Sequence, residues 1–183
     1  MKIFNLFLVF SLAFILVGCG YTNPYNGDMP GLADDQRSEA VPIYVTMWKN
    51  NTSELGFQSL IYQELIKWLK KSKMVTLVQD RQQAEYILDG AIRSIRFEGL
   101  SYDENDNAIE LRVVSKLSYE LRDRATNEIV WQQPGLIRRD NFIVGNDSII
   151  TSDSRRKALT SIARDIAQVI YTKIFYTISK LDK

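Results

Sequence analysis

IELRVVSKLSYELR, residues 109–122, decides the fold. Ile109, Leu111, Val113, Leu117, Tyr119 and Leu121 alternate with Glu110, Arg112, Lys116, Ser118, Glu120 and Arg122. A period of two over this length sends apolar side chains to one face of an extended chain and polar ones to the other. The segment therefore predicts a strand with one dry and one wet face. The turn RATNE follows, and EIVWQQ (128–133) returns as its antiparallel partner. Pro134 and Gly135 disturb that strand or end it, and residues 136–150 read as an extended edge or an irregular arm.

Upstream, the polar turn SYDENDNA separates the dry-wet strand from AEYILDGAIRSIRFEG (84–99). In that segment the apolar phase shifts from Leu88 and Ile92 to Ile95 and Phe97, which predicts a bulge or strong bend near Gly90. MVTLV (74–78) reads as a short strand, and VPIYVTMW (41–48), β-branched and apolar on both sides, as a buried one. Between them, Phe57, Leu60, Ile61, Leu65, Trp68 and Leu69 form one stripe of a helix over residues 55–71, with Thr52 or Ser53 as its cap. A long helix closes the chain from residue 151. Ser152 or Asp153 is its natural cap, and Leu159, Ile162, Ile166, Val169, Ile170, Ile174 and Ile178 form its buried stripe.

The order β-α-β-β-β-β-α supplies two amphipathic helices to cover the dry side of one sheet. The expected fold is α+β, a two-layer sandwich with both helices packed on a four- to five-stranded mixed sheet.

The chain opens MKIFNLFLVFSLAFILVGCGY, with one Lys, an apolar run, and the only cysteine of the 183 residues directly after Gly18. A positive start, a short apolar centre and small residues at its end have the layout of an export signal over residues 1–18. The run is short for a spanning helix, which takes about 20 apolar residues. An uncleaved anchor helix with an incidental Cys is the alternative. Leu16-Val17-Gly18-Cys19 resembles the bacterial lipobox, which implies lipid on Cys19, including an acylated amino terminus, and Gly20 resembles the sorting signal for the outer membrane. Residues 19–40, rich in Gly, Pro, Asn and Asp, read as a flexible tether, and residues 41–183 as one domain. Removing residues 1–18 takes Lys2 and leaves 22 Lys+Arg against 22 Asp+Glu, so no overall basic surplus argues for nucleic acid.

The chain has no histidine, which removes Ser-His-Asp and Cys-His catalysis and imidazole metal sites together. Its thiol is assigned to lipid, and no Gly-rich phosphate loop is present. DENDN (103–107) has the alternating ligands of a calcium loop, but Ala108 stands where the turn glycine belongs and Val114 where the bidentate Glu belongs. It reads as a solvated turn. No catalytic residue, metal site or cofactor is expected, and the chain is not expected to be an enzyme.

Trp48, Trp68 and Trp131 each sit within an apolar pattern, so core packing comes ahead of a sugar-stacking or lipid-contacting platform. Arg93, Arg96, Arg112, Lys116, Arg138 and Arg139 lie outside the helices. A solvated face is the plain reading; a patch that chelates phosphate is the sharper one.

CGY after the signal, VPIYVTMWKNNT, the helix GFQSLIYQELIKWL, AEYILDGAI and the strand ending LSYELRDRATNEIVW together resemble the LPS-assembly lipoprotein family of the LptE type. That resemblance implies an outer-membrane protein on the periplasmic side, lipid-anchored at Cys19 (palmitate among its acyl chains). It implies a place inside the lumen of the large β-barrel that inserts lipopolysaccharide (the LptD type), as plug and assembly partner. It also implies contact with lipopolysaccharide itself, for which Arg93, Arg112, Arg138 and Arg139 are the candidates. Secretion-pore subunits and activators of cell-wall synthases share the strand, the Asn-Thr link, the helix and an A-[DE]-Y-x-L-x-G strand, and form the alternative class. The one amphipathic strand carries Glu110, Arg112, Lys116 and Glu120, which suit water better than lipid.

Overall fold

The computed structural model describes residues 39–181. The signal 1–18, Cys19 and the tether as far as residue 38 lie outside the described residues. The elements are β1 (Val41–Val45), β2 (Lys49–Asn50), α1 (Phe57–Leu69), β3 (Val75–Leu77), a 3-10 turn (Arg81–Gln83), β4 (Tyr86–Tyr102), β5 (Ala108–Asp123), β6 (Ile129–Ile143) and α2 (Ser148–Leu181).

The sheet runs β3-β1-β4-β5-β6. β1 is parallel to β3 and β4, whereas β4-β5 and β5-β6 are antiparallel. Two helices on a mixed sheet are the α+β sandwich expected. The sequence pattern gave no sign of the two-residue β2, which pairs in parallel with Ala91 and Ile92 of β4.

The dry-wet alternation does what a period of two requires. Val113, Leu117 and Leu121 are fully buried beside Leu88 and Ile92 of β4 and Ile43 of β1. From α1 come Phe57, Ile61, Leu65 and Leu69, and from α2 come Ile162, Ile166, Ile170, Ile174 and Ile178, each buried almost completely. Every such side chain taken out of water stabilises the fold by about 1.5–3 kcal/mol. Ser115 is the polar member of the buried row, and its hydroxyl donates to the Arg138 carbonyl at 3.2 Å. That bond removes the penalty a buried hydroxyl otherwise carries.

Local details refine or correct the sequence reading, each for a physical reason. The bulge expected near Gly90 lies at Arg93, between the pairs Ile92–Leu117 and Ser94–Lys116, and the register shifts again between Gly99 and Tyr102. Gly90 is glycine because a Cβ there would stand inside the Trp48 indole. Helix α1 begins after Gly56, at φ +85, without a side-chain cap. Thr52 instead joins a knot around Asn50. The Asn50 amide donates to the Glu54 carbonyl and to Gln58, both at 2.8 Å, and its oxygen accepts from the Thr52 hydroxyl at 2.7 Å.

Helix α2 starts a turn early because Asp147, not Ser152 or Asp153, caps it. Its Oδ1 accepts from the amides of Ile149 and Ile150, both at 2.8 Å. Asp153 lies within the helix and bonds Arg156 and Lys157.

Of the two readings for Pro134 and Gly135, disturbance without an end is the one observed in β6. The strand continues to Ile143 because Pro134 and Gly135 fall in a bulge between Gln133–Tyr119 and Leu136–Leu117. An edge strand tolerates a proline there, since no second neighbour needs its missing N–H.

Candidate functional site

Pairing partners on adjacent strands share a face, so the register places each basic side chain. One row crosses three strands as Arg96–Val114–Arg139, the next as Glu98–Arg112–Asn141, and Lys116 pairs with Ser94 and Ile137. All of these stand on the face away from the helices, opposite in phase to Val113 and Leu117. Neighbouring strands lie about 4.8 Å apart and alternate residues along a strand about 6.8 Å apart. Arg96 and Arg139 thus flank Val114 across the strands, and Arg112 and Lys116 flank it along β5. Val114 is buried beneath this cross of four cations.

Arg93 joins the same face through its bulge, and its Nε donates to the Ser118 hydroxyl at 2.7 Å. Residues 93 and 96 have opposite parity, so a strict alternation places them on opposite faces. The unpaired residue at Arg93 restores them to one.

Two acids share the face at one end, Glu98 opposite Arg112 and Glu110, which accepts from the Asn141 side-chain amide at 3.2 Å. Arg96 meets Glu98 at 3.7 Å, and Arg112 Nε donates to Asn141 Oδ1 at 3.2 Å. Arg93, Lys116 and Arg139 form no ion pair among the described residues. A cluster in which cations outnumber carboxylates is suited to phosphate oxygens, which guanidinium groups chelate in pairs.

Arg138 does not belong to this cluster. It pairs with Ser115 and lies in phase with the buried Leu136 and Phe142, on the helix side. Its Nη1 donates to the Ile137 carbonyl of its own strand at 2.9 Å. Three other main-chain groups of β6 are also met by side chains. Gln133 donates to the Gly135 carbonyl at 3.4 Å, Asp140 accepts from the Asn141 amide at 2.8 Å, and Ser154 accepts from the Ile143 amide at 3.0 Å. Of the four arginines singled out from the sequence, Arg93, Arg112 and Arg139 meet on one face with Arg96 and Lys116. The fourth serves the sheet edge.

The DENDN turn is occupied with itself. Asp103 accepts from the Asn105 and Asn107 amides at 2.9 and 2.8 Å, and from the Asn107 side chain at 3.0 Å. Those bonds, the Asn107 side chain first, hold its carboxyl below the usual Asp range. Among the described residues no group of three potential ligands could hold a metal, and no helix is long and apolar enough to cross a membrane.

The family model described as LptE, lipopolysaccharide-assembly, matches residues 40–174. A search of curated protein sequences matches none. Among solved structures the chain is similar to rare lipoprotein B from Shewanella oneidensis, at 13% identity and a TM-score of 0.52, covering 78% of this chain and 99% of that one. It is also similar to lipoprotein B from Nitrosomonas europaea, at 15% identity and a TM-score of 0.53, covering 74% and 83%. A minor lipoprotein from Acinetobacter baumannii follows at 16% and 0.50, covering 73% and 91%. These identities establish a shared fold.

Proposed function

This chain belongs to the LptE family of lipopolysaccharide-assembly proteins, and on that premise we propose that it plugs and helps assemble the lipopolysaccharide-inserting outer-membrane β-barrel. On this reading Cys19 carries the lipid anchor, and the domain reaches the barrel from the periplasmic side through residues 20–40. It works by docking, with no bond made or broken. The family match favours this reading over a secretion-pore subunit or a synthase activator.

The observation that carries the ligand half of the proposal is the cross of Arg96, Arg112, Lys116 and Arg139 around Val114, with Arg93 beside it. Lipid A offers phosphates, and cations spread over three strands can take more than one phosphate oxygen at once. A sheet face wet in this way also suits the polar interior of a large barrel.

Two measurements test it. Affinity purification from detergent-solubilised native membranes should bring down a large barrel together with a chain whose mass includes acyl groups at Cys19. Recovery of the chain alone, or of a Cys19→Ser chain with unchanged acyl mass, overturns the anchored-plug reading. Reversing Arg96, Arg112, Lys116 and Arg139 to Glu should abolish retention of lipopolysaccharide in a pull-down. Undiminished retention returns the patch to an ordinary solvated face.

A further inference from the structure

Between β6 and the C-terminal half of α2 lies a cleft of about 290 Å³. Its walls include Tyr119, Trp131, Gln132, Gln133, Lys173 and Tyr176. It opens on the helix side of the sheet, away from the cationic cross, and its reading does not depend on that patch.

The lining is unlike ordinary packing between a strand and a helix. Tyr119 is buried and meets the half-buried Trp131 edge to face at 5.5 Å, while Tyr176 is half exposed. Three aromatic rings at one small opening give a firm apolar surface with polar tips. Beside them stand the Gln133 side chain, whose amide donates to the Gly135 carbonyl, and the Lys173 ammonium, which forms no ion pair among the described residues. The lining holds no carboxylate.

The indole nitrogen of Trp131 is buried and has no acceptor among the described residues. Burial also raises the Tyr119 hydroxyl above its usual pKa, against the pull of Arg138. The phenol therefore stays protonated, another donor.

Donors and one cation, set among aromatic faces, suit a ligand that carries a negative charge and a saturated ring rich in oxygen. The volume stands at the lower end of small-molecule sites, which run from about 300 to 1,000 Å³. One ring fits; a pair of acyl chains does not.

We propose that this cleft binds a single anionic sugar, its ring against Trp131 and Tyr176 and its carboxylate or phosphate on Lys173. The aromatic-platform reading, set behind core packing for all three tryptophans, thus returns for Trp131. Trp48 is buried in the core against Tyr119, and Trp68 packs on Tyr171.

The test follows the indole N–H signals of the full-length protein by NMR in a non-glycosidic detergent, with Trp131 assigned through Trp131→Phe. Sodium galacturonate and glucose 6-phosphate are titrated separately, so that carboxylate and phosphate sources are told apart. Galactose and inorganic phosphate are the controls. The Trp131 signal should shift saturably with at least one anionic sugar, and about tenfold more weakly with galactose, because the charge-assisted contact is then missing. Lys173→Gln, a substitution on an exposed helix face, should weaken binding by a similar factor while Arg139→Glu leaves it unchanged. Equal shifts with galactose or with phosphate alone, no shift with either anionic sugar, or binding indifferent to Lys173→Gln overturns the proposal.

Discussion

Replacing Gly90 with alanine puts a methyl group where the Trp48 indole already stands. The indole has nowhere to go. Trp48 is 2% exposed and stacks on Tyr119 at 5.9 Å, and Tyr119 in turn meets Trp131. Forcing a methylene-sized group into a packed core costs about 1–3 kcal/mol. Displacing the stacked ring loses a further share of about 0.5–1.5 kcal/mol. Against this, alanine stiffens the unfolded chain and returns about 0.4–1 kcal/mol. The expected net loss is about 2 kcal/mol.

The sign should change when the obstacle is removed. In a Trp48→Leu background the methyl group has room, and Gly90→Ala becomes neutral or stabilises by about 0.4–1 kcal/mol. Urea unfolding followed by far-ultraviolet circular dichroism measures both, free of the tryptophan signal being altered. A 2 kcal/mol loss moves the midpoint by about 1 M at ordinary slopes. If Gly90→Ala costs less than about 0.5 kcal/mol in the parent, or the same in both backgrounds, the close approach is not why glycine stands there.

Asp147→Ala should destabilise the protein by about 1 kcal/mol in the same assay, and Ser152→Ala by less than half of that, because only Asp147 caps α2. Arg139→Glu should weaken lipopolysaccharide retention and Arg138→Glu should not, since only Arg139 stands on the cationic face; equal losses would show that position on the sheet does not matter. Asp153 is held below its usual range by hydrogen bonds to Lys157 and then Arg156, and Asp123 by its bond to the Thr126 amide. Folded-state values below the unfolded ones stabilise the protein above the ordinary Asp pKa, and the contribution is lost as pH falls through the depressed values. A carboxyl-carbon NMR titration should find both midpoints, with that of Asp103, below a reference peptide's; values at or above it refute the assignment.

Much of this architecture was legible because it follows from periodicity. The alternation from Ile109 to Leu121 announced its buried row, and the Ile stripe of α2 announced the helix that covers it. What stayed hidden depended on contacts between distant residues. Gly90 reads only as a bulge or bend until Trp48, in the link between β1 and β2, is seen to stand over it. Pro134 leaves disturbance and termination both open until the strand is known to lie at an edge. Arg93 and Arg96 look out of phase until the bulge sets them together, and for the same reason Arg138 looks like a partner of Arg139 although they point to opposite faces. Residue type named the cations; register sorted them.

On the proposed plug reading, the free margin of β6 bears on how a guest could sit inside a host built of strands. A bare strand margin is an invitation to zip onto any neighbour that offers matching amides and carbonyls. Here Gln133, Arg138, Asp140 and Ser154 fold back onto that margin, and Pro134 has no amide hydrogen to offer. Along this margin, contact with a neighbour falls to side chains, so on that reading this edge can lie against a barrel wall without being woven into it.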